Sequence, residues 1–173
     1  LYSRDFYNKT QRIASILSQS IKQGGTIYWC GNGGSASDSQ HLAAELVGRF
    51  INDRPPISST SLSADTSILT CISNDFSYDD VFSRQIQATA KPHDVLVGIS
   101  TSGNSKNVLN AVEEANNKNC ETIAFLGKTG GELIKLAKNS ILVKSDSTAR
   151  VQECHILIGH IIIGLIEREL NYD

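Results

Sequence analysis

The 173 residues contain no methionine, and the chain opens at Leu1, so a translated start is expected to precede it. Charge of one sign is also missing: 16 Lys and Arg against 18 Asp and Glu leave a net charge of −2. That balance offers no general attraction to nucleic acid or anionic lipid, and neither partner is expected. The four cysteines, Cys30, Cys71, Cys120 and Cys154, form no Cys-x-x-Cys pair and are widely spaced. They are expected as free, buried, small hydrophobes in a reducing compartment. No signal peptide is evident. The longest apolar stretch, Ile156 to Ile166, is interrupted by Gly159, His160 and Gly164 and is too short to span a bilayer. The loop from Ser100 to Ser105 holds no Gly-Lys-Ser/Thr, so it is not a nucleoside triphosphate loop. With 40% hydrophobic residues, the chain is neither disordered nor fibrous. One domain over residues 1–173 and a soluble, cytoplasmic protein are expected.

Short β-branched and aromatic runs alternate with helical patterns. Strands are expected at 26–30, 57–62, 94–99, 122–126 and 140–143. Helices are expected at 36–50, 65–72, 79–89, 105–118, 131–138 and 148–170. The alternation predicts an α/β fold with a parallel sheet between two helical layers. Ligands in such folds bind beyond the C-terminal ends of the strands.

Two loops at those ends carry chemistry. Gly31-Asn32-Gly33-Gly34-Ser35-Ala36 opens a helix. It suits an anion or a sugar hydroxyl at the helix N-terminus, or it is simply a tight turn. It also fits Gly-x-Gly-x-x-Ala, but the acidic residue a dinucleotide site needs arrives late, at Asp65. Ser100-Thr101-Ser102-Gly103-Asn104-Ser105 packs four hydroxyls into six residues before another helix. One hydroxyl or Asn104 suffices as a cap; four suit a phosphate monoester.

His41 and Glu45 lie four apart on one helix face, with Arg49 continuing it. The set is either a salt-bridged surface stripe or a metal-binding or acid–base pair. The last helix carries Gln152, Glu153, His155 and His160 amid apolar residues on nearly every side. A helix apolar all round needs a second covering surface, most simply another subunit. His160 is a core residue, a metal ligand or a proton shuttle.

Taken together, the chain resembles the phosphoheptose isomerases of the sugar-isomerase (SIS) domain superfamily. The motifs are Gly31-Asn32-Gly33-Gly34-Ser35, His41-x-x-x-Glu45 with Arg49, Asn74-Asp75-Phe76, Gly98 to Ser105, and Arg150-Val151-Gln152-Glu153 with His155 and His160. The resemblance implies a flavodoxin-like, three-layer α/β/α fold with a five-stranded parallel sheet and the long C-terminal helix in a subunit interface. It implies a homotetramer with active sites at subunit contacts, and isomerisation of sedoheptulose 7-phosphate to D-glycero-D-manno-heptose 7-phosphate. That step opens nucleotide-activated heptose synthesis for bacterial surface polysaccharide.

By motif, Ser100, Thr101, Ser102 and Ser105 would hold the phosphate. Asn32, Gly33, Gly34, Ser35, Asn74, Asp75, Glu45 and Gln152 would bind the rest of the substrate. One zinc per subunit would sit on His41, Glu45, Gln152 and His160, with no nucleotide cofactor. Glu45 would move the carbon-bound proton and His160 serve the oxygens. Ala149 stands where some relatives carry an acidic residue, so no acidic contact is expected there. The family's N-terminal helix is expected to lie largely before Leu1. Two other readings are a non-catalytic SIS tetramer that binds the replication initiator DnaA, and a phosphosugar-sensing SIS module. Neither needs His41, Glu45, Gln152 and His160 together.

Overall fold

A computed structural model describes residues 4–172. Five parallel strands, β1 (Ile27–Gly31), β2 (Ser59–Ser61), β3 (Val95–Ser100), β4 (Glu121–Gly127) and β5 (Asn139–Val143), form one sheet in the order β2-β1-β3-β4-β5. The order reverses between β1 and β3, the switch point beyond whose strand C-termini ligands bind in such folds. Gly31 pairs with Ile99 there, so the glycine loop and the serine loop leave the sheet side by side.

The central strands are buried on both faces. One set, including Trp29, Val97, Ile99, Ile123 and Phe125, packs against α1 (Arg4–Lys22), α2 (Gly34–Val47) and α7 (Thr148–Glu169). The alternate set, including Cys30, Leu96, Ala124 and Leu126, packs with Val81, Phe82, Ile86, Val108 and Val112. The helices on that side are α3 (Thr66–Asp75), α4 (Ser83–Thr89), α5 (Lys106–Asn117) and α6 (Leu133–Leu136), with a 3-10 turn at Tyr78–Asp80. This is the period-two division of a sheet covered on both sides.

Three expectations change. No element is expected before residue 26, yet α1 occupies Arg4–Lys22. Its buried face mixes Ile13, Ala14 and Leu17 with Thr10, Ser18 and Ser20, which dilutes the apolar period. Thr10 Oγ1 donates to the Phe6 carbonyl at 2.8 Å and Ser20 Oγ to the His93 carbonyl at 2.6 Å, so two of these hydroxyls are satisfied. Next, α2 ends at Val47 rather than residue 50, so Arg49 lies past the helix and does not extend the His41–Glu45 face. Lastly, not every cysteine is buried. All four are free, but Cys71 is exposed and Cys154 half-buried; burial pushes the Cys30 thiol up to about 12.

The α7 helix is long and apolar enough, by length and composition, to cross a membrane. Its inner face, with Ile158, Ile162 and Ile166, is instead packed into the core against α1 and α2. Leu157 and Ile161 stay exposed on the outer face. The α7 backbone passes close to an α2 side chain at Gly159, where an added Cβ would run into the fully buried Leu42. Gly159→Ala is expected to destabilise the fold by ~1–3 kcal/mol through overpacking, read as a lower midpoint in thermal unfolding.

Candidate active site

The serine loop turns at Gly103, whose φ of +70° suits glycine. The Ser100 hydroxyl is its hub: it accepts from Gly103 N at 3.1 Å and lies 2.9 Å from Ser105 Oγ and 3.4 Å from Ser102 Oγ. Ser105 occupies the N-cap position of α5 yet makes no capping bond. Its hydroxyl faces the other serines, and the first-turn N–H groups of α5 keep no side-chain cap. Asn104 is not a cap either; its Oδ1 accepts from Glu132 N at 2.9 Å and pins the loop before α6. Three hydroxyls, the half-buried Thr101 and a helix N-terminus therefore converge, the donor set an oxyanion requires.

The glycine loop lies alongside. Gly33 has φ +57° and Gly34 begins α2, both exposed, while Ser35 is buried beneath them. The Gln152 amide rests on Gly34 so closely that any Cβ there would strike it. Asn32 exchanges two hydrogen bonds with the buried Asn107, at 2.8 and 2.9 Å. The Tyr78 hydroxyl also donates to Asn32 Oδ1 at 2.9 Å. Asn107, on the first turn of α5, thus ties the glycine loop to the helix behind the serine loop. Sequence reading missed it, although its place two residues after Ser105 was a visible signal. Asn74 and Asp75, exposed at the end of α3, are bonded to each other at 2.7 Å. Asp65 caps α3 by accepting from Ile68 N at 2.9 Å, a structural use that replaces the weighed ribose role.

A second cluster lies on α2 and α7. His41 Nε2 is 3.1 Å from Glu45 Oε1 and 3.1 Å from His160 Nε2, and the His160 ring stacks on Phe50 at 5.4 Å. All three ligand-type atoms fall within 4.8 Å of one another. Nitrogen and oxygen ligands at about 2.0–2.1 Å in a tetrahedron sit about 3.3 Å apart. The spacing therefore fits a metal held by these three side chains. One turn earlier, burial pushes the Asp38 carboxyl up, with His41 opposing. A groove of about 550 Å³, lined in part by Phe50, Ile51, His160, Ile161 and Leu165, runs beside the cluster.

The two clusters do not merge within one chain. His41 and Glu45 lie seven and eleven residues along α2 from Gly34, about 10 and 16 Å at 1.5 Å per residue. Gln152 is eight residues, about 12 Å, from His160 along α7, and it sits with Gly34 rather than with the histidines.

His155 is elsewhere again. It is fully buried, with Nε2 3.1 Å from the Leu126 carbonyl. Burial lowers its pKa from 6.5, and the bond to Leu126 opposes that shift. Below pH 6.5 the unfolded chain takes up a proton here that the folded chain resists. Stability contributed by neutral His155 is therefore complete above 6.5 and lost as pH falls toward the folded pKa. His155→Gln is expected to flatten the dependence of unfolding free energy on pH between 7 and 5; an unchanged slope would refute that assignment.

Comparison with known proteins identifies the family. The SIS domain family matches residues 7–127. A phosphoheptose isomerase of Akkermansia muciniphila is 49% identical over 160 residues, covering 92% of this chain and 85% of its own. One from Helicobacter pylori is 50% identical over 157 residues, covering 91% and 82%. Among solved structures, a phosphoheptose isomerase from Neisseria gonorrhoeae superposes with a TM-score of 0.88 at 41% identity, over 93% of this chain and 86% of that one.

Proposed function

This chain belongs to the SIS domain family and, within it, to the phosphoheptose isomerases, and from that premise we propose that it converts sedoheptulose 7-phosphate to D-glycero-D-manno-heptose 7-phosphate. The reaction begins nucleotide-activated heptose synthesis for surface polysaccharide, in the cytoplasm. The observation that carries the chemistry is the convergence of His41, Glu45 and His160 on one point. A sensing module or a scaffold has no use for such a cluster.

In the proposed mechanism the phosphate sits among Ser100, Thr101, Ser102 and Ser105, and Asn32, Gly33, Gly34, Ser35, Asn74 and Asp75 hold the sugar. Glu45 removes a proton from C1 of the ketose, giving a cis-enediol, and returns a proton to C2. His160 moves the proton between the oxygens on C1 and C2. His41, Glu45 and His160 fit zinc, with Gln152 of another copy as the fourth ligand; bound there, zinc would polarise the carbonyl and stabilise the enediolate.

Assembly is part of this reading. In its own chain Gln152 lies on Gly34, and Glu45 lies about 16 Å along α2 from that loop. A homotetramer in which one copy brings its Gln152 and phosphate loop to another copy's His41, Glu45 and His160 unites the parts. Exposed Val47, Ile51, Leu157 and Ile161 supply an apolar surface for that contact. Purified protein, zinc-loaded or chelator-treated, is incubated with sedoheptulose 7-phosphate and followed by NMR. Appearance of the aldose is expected; folded protein that forms none in either state refutes the function.

A further inference from the structure

Arg54 and Glu167 form an ion pair inside the protein, Nε to Oε1 at 2.9 Å, with side chains 0% and 2% exposed. A pair this deep pays heavily in desolvation, and apolar side chains of similar volume often serve stability as well. Its surroundings suggest another role. Arg54 Nη2 donates to the Glu45 carbonyl at 2.7 Å and Nη1 to the Leu46 carbonyl at 2.9 Å, closing the last turn of α2. Glu167 Oε2 accepts from Ile51 N, Asn52 N and Asn52 Nδ2 at 3.2–3.4 Å. Burial pushes the Glu167 carboxyl up, but the bonds from Arg54, Asn52 and Ile51 outweigh it and hold the group below the usual carboxylate range. Glu167 lies seven residues, two turns, after His160 on α7. Phe50, adjacent to the segment that Glu167 grips, stacks on the His160 ring.

One buried pair thus holds the backbone of Glu45, the helix that bears His160, and the segment beside the His160 ring. We propose that Arg54 and Glu167 are positioning residues: a clamp that fixes Glu45 relative to His160, so that its loss is felt in turnover and metal affinity more than in folding. The inference rests on the reading of His41, Glu45 and His160 as the reacting and metal-binding cluster.

The test compares the parent with Arg54→Met/Glu167→Leu, which removes both charges and fills the space. Thermal unfolding, kcat and KM for sedoheptulose 7-phosphate, and zinc affinity by chelator competition are measured. The double variant is expected to fold, with kcat and zinc affinity each lower by about 10–100-fold, the range for residues that orient metal ligands, and KM within about twofold. A folded double variant with kcat and zinc affinity within about twofold of the parent overturns the clamp. Should the double variant fail to fold, Arg54→Lys decides. Lys keeps the charge beside Glu167 but lacks the fork that reaches two carbonyls, so the same split is expected, and parental kcat and zinc affinity overturn the proposal. A folded parent that neither turns over nor binds zinc takes down the reading of the cluster as well, which separates that failure from failure of the clamp alone.

Discussion

Glu45→Gln is expected to lower kcat for sedoheptulose 7-phosphate by roughly 10²–10⁴-fold, the usual contribution of a positioned general base. KM should move little, because the hydroxyls expected to hold the phosphate, Ser100, Ser102 and Ser105, belong to a different loop. The split between kcat and KM identifies a group that acts in the transition state rather than in uniform binding. Glutamine keeps the side-chain shape and can still meet His41, so gross unfolding is not expected. Steady-state kinetics beside an unfolding curve check this. A variant within about threefold of parental kcat would remove Glu45 as the base. The histidines give a control within one helix. His160→Gln should lose turnover with the fold intact, whereas His155→Gln should alter the pH dependence of stability, since His155 is buried on the Leu126 carbonyl.

The second large effect is expected at Gly103. Its φ of +70° disfavours any side chain, and a Cβ would overlap the Gly130 carbonyl of the neighbouring loop. Backbone strain alone costs ~1–2 kcal/mol, and relieving the overlap must part the serine loop from the Gly130–Gly131 turn. Gly103 N also holds the Ser100 hydroxyl at 3.1 Å. Gly103→Ala should therefore disperse the serine cradle. The expected result is at least a tenfold rise in KM, about 1.4 kcal/mol of lost binding, together with a lower unfolding midpoint. Parental KM in a folded Gly103→Ala protein would mean that the phosphate is held elsewhere.

Much of this molecule was legible in its residues, for identifiable reasons. The strands were found because runs such as Val95-Leu96-Val97 are buried on both faces and read as continuous apolar segments. The last helix was expected at 148–170 and occupies Thr148–Glu169, since apolar residues fill most of its length. The two loops at the strand ends were located by composition alone. Their adjacency needed the strand order, which places β1 beside β3.

Other features depend on tertiary structure. The α1 helix hid because three of its buried positions are Thr10, Ser18 and Ser20. The i,i+4 spacing put His41 and Glu45 on one face, but spacing cannot say how far along the fold that face lies from the phosphate loop. Arg49 looked like the next step of the same stripe until α2 stopped at Val47. The Arg54–Glu167 pair joins residues 113 apart, and Asn32 and Asn107 are 75 apart. No local pattern reports such pairings; they follow from closing α2, α5 and α7 around the sheet.

The central claim is that this protein moves a proton between adjacent carbons of a sugar phosphate through an enediol. Running the isomerisation of sedoheptulose 7-phosphate in D₂O and reading C2 of the product by NMR tests it most directly. The account predicts an aldose heptose phosphate carrying deuterium at C2, formed by the parent and not by Glu45→Gln. Aldose formed equally fast by Glu45→Gln, with the same label at C2, would contradict it.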